Sequence, residues 1–169
     1  MHWDHVGWAT HGGDVVFPAA TFRAHHADWE RFVAGPTAVP TAIEKLMPIA
    51  PQLELFDRDV TVAPGIDAVH SPGHTPGSTV YVLSSGSRRA ILLGDVAHSV
   101  VVLAERDWHV IWDVDPVAAL LVRNRIADEV ADSQDLVVGA HFPEMKYGRV
   151  VATGGTAVSF RCNEVVSLP

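Results

Sequence analysis

The chain has 169 residues, of which 48% are hydrophobic and 19% charged, with a formal net charge of −8. That length fits one domain with a buried core, and the composition excludes a disordered chain. The acidic balance, without a basic stripe, argues against nucleic-acid partners and against anionic membrane surfaces.

In chain order, Met1 to Thr10 is polar and glycine-bearing and reads as a loop. A short β pattern surrounds Phe22, from Ala20 to His25. Ala27 to Val33 carries Trp29, Phe32 and Val33 at helical spacing, and Gly35-Pro36 breaks it. A second helix is predicted from Thr41 to Met47, capped by Thr41 and stopped by Pro48. Strand patterns begin at Leu53. Val60 to Val62, Ile66 to His70, Thr79 to Leu83 and Arg89 to Leu93 are β-like, with Ser85-Gly86-Ser87 as a hairpin turn.

Asp115-Pro116 opens the clearest helix, running to Ala131. Its apolar face, Ala119, Leu120, Ile126, Ala127 and Val130, is interrupted by one charge, Arg123. Asp135 to Val138 reads as a buried strand, and Arg149 to Ala152 with Ala157 to Phe160 as a last hairpin across Gly154-Gly155. The lone cysteine, Cys162, cannot form an internal disulfide and reads as a small buried hydrophobe. No apolar run is long enough to span a membrane and no signal peptide is visible, so the expected location is the cytoplasm.

Four segments carry metal-ligand chemistry. His2-Trp3-Asp4-His5 places two imidazoles and a carboxylate within four residues. His74 stands in the turn-rich run Ser71-Pro72-Gly73-His74-Thr75-Pro76-Gly77. Asp95 follows the apolar run Ile91-Leu92-Leu93-Gly94, where a bridging position between cations would satisfy a carboxylate that is costly to bury alone. His141 follows Val138-Gly139-Ala140 in the same way. Each has an ordinary structural alternative: a polar turn for the first, a surface turn residue for His74, a cap for Asp95, and a satisfied core histidine for His141. Imidazole and carboxylate together suit zinc and related ions.

Taken together, the four segments resemble the metallo-β-lactamase superfamily, whose first motif is His-x-His-x-Asp-His. Here the motif begins at Met1, without its leading histidine. The resemblance implies an α+β fold, the αββα sandwich of two mixed sheets with helices outside. It covers residues 1–169 as one partial domain lacking much of the N-terminal half. The expectation is therefore a fragment, or a misassigned start, of a longer protein. The resemblance also implies two divalent ions, zinc by preference. His2 and His74 would hold one ion, Asp4, His5 and His141 the other, and Asp95 would bridge both. A hydroxide between the ions would attack a lactone, an ester or a related acyl or phosphoryl bond, with Asp4 as the catalytic group orienting it. The compact C-terminus is similar to the lactonase and esterase members, which take small-molecule substrates. The competing reading is an impaired homologue that binds one ion or none. His98, three residues after Asp95, is a candidate substrate contact, and Tyr147 a weaker one. Trp8, Trp108 and Trp112 could line a cleft with His109, but core packing is the favoured reading of the tryptophans.

Overall fold

The computed structural model describes residues 1–162. Main-chain packing divides them into two compact units. The first comprises Met1–Arg58 with Thr75–Gly77; the second comprises Asp59–His74 and the described residues from Ser78 onward.

The first unit begins with a helical turn, α1 (Trp3–Val6), where a loop was expected. His2 is its N-cap, and the His2 carbonyl accepts from the N–H groups of His5 and Val6, both at 3.1 Å. A two-residue hairpin follows, β1 (Thr10–His11) with β2 (Asp14–Val15). β3 (Phe22–His25) runs into α2 (His26–Trp29), which widens into a π turn at Glu30–Ala34. The Gly35 N–H closes that turn on the Glu30 carbonyl at 2.7 Å, at the expected break. α3 (Pro40–Leu46) is capped by Val39 rather than Thr41. Pro40 takes the first helical position, where its missing N–H costs nothing, and this moves Thr41 inside the helix. A 3-10 turn, Met47–Gln52, leads to β4 (Leu53–Phe56), which pairs in parallel with β3. Phe32, Val33, Ala42, Leu46 and Ile49 form the core of this unit.

A mixed seven-stranded sheet builds the second unit. It contains β5 (Val60–Ala63), β6 (Ile66–His70), β7 (Thr79–Ser85), β8 (Arg88–Leu92), β9 (Leu136–Val138), β10 (Tyr147–Gly154) and β11 (Ala157–Cys162). Spatial order follows chain order, and only β8 and β9 pair in parallel. That pairing needs a crossover, supplied by α4 (Val100–Ala104) and α5 (Pro116–Val130). α4 was not anticipated from the sequence; Ser99 caps it by accepting from the Val102 N–H. α5 begins as expected, with Asp115 accepting from the N–H groups of Val117 and Ala118 and Pro116 in the first turn. Ile126, Ala127 and Val130 pack with Val80, Ile91, Val137 and Val150 in one core. Burial of these side chains, at about 25 cal/mol per Å² of apolar surface, is the main force holding helix to sheet.

Two further expectations are corrected. Cys162 is exposed, at the end of β11, the edge strand of the sheet. Trp8, Trp108 and Trp112 are exposed as well, at 80%, 52% and 65%, so none is a core residue. Ring size favours burial of a tryptophan without compelling it, since much of any folded surface is apolar.

Candidate metal centre

Three of the expected ligands lie in the first unit on one helical turn. His2 is half-buried, its ring edge-on to Phe32 at 5.4 Å. Asp4 and His5 are its neighbours on α1, with the Asp4 Oδ2 and His5 Nε2 atoms 3.5 Å apart.

The second unit brings His74, Asp95 and His141 together. β8 and β9 run in parallel with Leu92 opposite Val138, and the Leu93 N–H donates to the Val138 carbonyl at 2.7 Å. The two strands therefore end level with each other, in the region where open sheets place their ligand sites. Asp95 follows β8 in the tight turn Gly94–Val96, and His141 follows β9. The Ala140 N–H bonds to the Gly94 carbonyl at 3.3 Å and ties the two turns together. Gly94 has φ +53°, a left-handed conformation that favours glycine.

His74 arrives from the loop after β6. Gly73, at φ +139°, presses that loop onto α5, where a Cβ would stand 2.2 Å from the Ala119 nitrogen. The Val114 and Asp115 N–H groups bond to the carbonyls of His74 and Gly73, at 3.1 and 2.9 Å.

Asp95 is the hub. Its Oδ2 lies 3.4 Å from His74 Nε2 and its Oδ1 3.2 Å from His141 Nε2. One carboxylate thus turns each oxygen toward a different imidazole, the donor chemistry of a bridging ligand to divalent cations. His98 joins the group: Asp95, His98 and His141 each offer a ligand-type atom, all within 4.8 Å of one another. The His98 ring stacks on His141 at 5.3 Å and meets His74 edge-on at 4.8 Å. Its Nδ1 is buried and has no hydrogen-bond partner among the described residues. Burial holds the His98 pKa below its ordinary value, which favours the neutral ring. These residues fit a divalent cation.

Two residues of this cluster were not identified from the sequence. Asp113, its side chain fully buried, places Oδ1 3.1 Å from His74 Nδ1. Its other oxygen accepts from Arg123 Nη1 at 2.9 Å, and Arg123 Nη2 donates to the Trp108 carbonyl at 3.2 Å. Burial alone would lower the His74 pKa. The hydrogen bonds to Asp113 and Asp95 outweigh it and raise the value to about 9. For Asp113 burial pushes the pKa upward, and the hydrogen bonds from His74 and Arg123 overcome it, leaving the value lowered. The charged interruption in the apolar face of α5 was the one visible signal for Arg123. Nothing in the sequence marked Asp113.

A profile of the metallo-beta-lactamase superfamily matches residues 1–141. The chain belongs to that superfamily. Solved structures agree in fold. AidC, a dizinc quorum-quenching lactonase in complex with a homoserine product, superposes with a TM-score of 0.85 at 22% identity, over 98% of this chain and 63% of that one. The hydrolase AbOPH gives 0.86 at 21% identity, over 98% and 62%. A probable metal-dependent hydrolase from Staphylococcus aureus gives 0.81 at 22%, over 99% and 61%. This superfamily member therefore spans somewhat less than two thirds of the length of these structures. No curated protein sequence matches it.

Proposed function

We propose that this chain carries the metal-binding machinery of a hydrolase that opens small-molecule lactones or esters. The observation that carries the reading is the Asp95 carboxylate, with one oxygen at His74 and the other at His141. The superfamily profile supports it, and because the profile runs through both units we read them as parts of one partial hydrolase domain. The names of solved relatives, which include lactonases bound to homoserine products, favour a lactone or ester substrate.

By match to the superfamily motif, His2, Asp4, His5, His74, Asp95 and His141 are the proposed ligands of two divalent ions, zinc by preference. Such ions, when bound, supply Lewis acidity and an acidified water for attack on a carbonyl. Asp4 is the proposed group that orients the attacking water and takes its proton. Asp95, between His74 and His141, is the ligand proposed to serve both ions. A neutral His98 offers a hydrogen bond to a substrate oxygen.

The test is metal content followed by turnover. Protein loaded with zinc and desalted is expected to retain two ions per chain and to hydrolyse a chromogenic ester or lactone. Activity is expected to vanish with a chelator and with Asp4→Ala. One ion or none, with no turnover, would favour the impaired homologue.

A further inference from the structure

We propose that Asp113 and Arg123 are positioning residues for the metal centre: a buried carboxylate–guanidinium pair that fixes the His74 ring and turns its Nε2 toward a cation. This rests on His74 being a ligand, as proposed above.

Geometry carries the argument. The His74 side chain is 3% exposed, that of Asp113 0% and that of Arg123 1%. An ionised carboxylate in such a place is costly unless its charge is compensated. Arg123 compensates it at 2.9 Å, so the pair adds no net charge behind the imidazole. The second Asp113 oxygen accepts from His74 Nδ1–H at 3.1 Å. This bond fixes the tautomer and the ring plane, and directs Nε2 toward Asp95. The guanidinium is itself fixed by the Trp108 carbonyl. The loop bonds of Val114 and Asp115 to His74 and Gly73 hold the backbone that carries Asp113 against the backbone that carries His74. Each part of the assembly is thus tied to the next, as far as the His74 ring that carries the ligand nitrogen.

A role in holding the ion differs from a role in holding the fold, and metal binding separates them. Zinc affinity would be measured by competition with a chromogenic chelator, and the Co(II) absorption spectrum recorded, for the parent chain, Asp113→Ala and the charge-neutral pair Asp113→Asn/Arg123→Gln. Circular dichroism would check folding. Both variants are expected to bind one ion about 10- to 100-fold more weakly, with a changed Co(II) spectrum, while the other ion is retained. If Asp113→Ala does not fold, the double variant decides. A folded double variant with parental affinity and an unchanged spectrum would overturn the proposal. A parent chain that binds no ion would overturn the ligand assignment of His74 as well, so the two failures are distinguishable.

Discussion

The Leu93 N–H donates to the Val138 carbonyl at 2.7 Å, so β8 and β9 deliver Asp95 and His141 from level strand ends. The turn after Leu93 depends on Gly94 at φ +53°, with open space where a Cβ would stand. Gly94→Ala would therefore meet backbone strain without a clash. A loss of about 1–2 kcal/mol in unfolding free energy is expected, measured by urea denaturation. Parental stability would mean that this turn relaxes freely.

In the first unit, Asp28 is 5% exposed and holds three donors. It accepts from the Thr75 hydroxyl at 2.9 Å, from the Gly77 N–H at 2.6 Å and from the Met1 ammonium at 3.0 Å. Asp28→Ala removes this shared acceptor from all three donors. The expected cost is about 1–3 kcal/mol for each donor left buried. Thr75→Val removes the hydroxyl bond to Asp28 and should cost less. Equal losses for the two variants would show that Asp28 does not hold the Gly77 end of the turn.

The pH dependence of the ion-free protein follows from His74. Its folded pKa is raised from 6.5 to about 9 by Asp113 and Asp95 against the opposing effect of burial. A raised pKa means that the folded form binds the proton more tightly than the unfolded form. The stabilisation is complete below pH 6.5 and is lost as the pH rises through 9. Thermal midpoints of chelator-treated protein between pH 6 and 10 should fall across that window. His74→Gln should remove most of the fall. Parallel profiles for parent and variant would contradict the assignment.

Adding zinc should reverse the comparison. A ligand that binds only the folded chain stabilises it by roughly 2.7 kcal/mol at a free concentration of 100 Kd. A rise in the thermal midpoint on zinc addition is expected for the parent chain. Asp95→Ala removes the residue between His74 and His141 and is expected to abolish the rise. Persistence of the full rise would place the ion elsewhere.

What the sequence made legible depended on how local the cause was. Asp115 and Pro116 state a helix start within two residues, and α5 begins there. Ser85 to Ser87 states a hairpin turn, and β7 and β8 flank it. Asp95 and His141 could be placed at strand ends because the apolar runs before them are strands. Asp113 could not be found, since its partner His74 is 39 residues away and only the tertiary fold joins them. Arg123 showed itself as a flaw in an apolar face, but the anion that makes it tolerable lies outside the helix. The cap of α3 was misplaced for a smaller reason: the rigid ring of Pro40 sets the helix start more firmly than the hydroxyl of Thr41. The tryptophans were misjudged because ring size favours burial without fixing it, and all three are exposed in the fold.

The crossover between β8 and β9 also sets an order of events. Asp95 precedes α4 and α5 in the chain, and His141 follows both. An ion arriving while the chain is still collapsing would meet the carboxylate long before its second imidazole. On the proposed ligand set, His141 therefore joins Asp95 only where the non-local parallel pairing of β8 with β9 has formed.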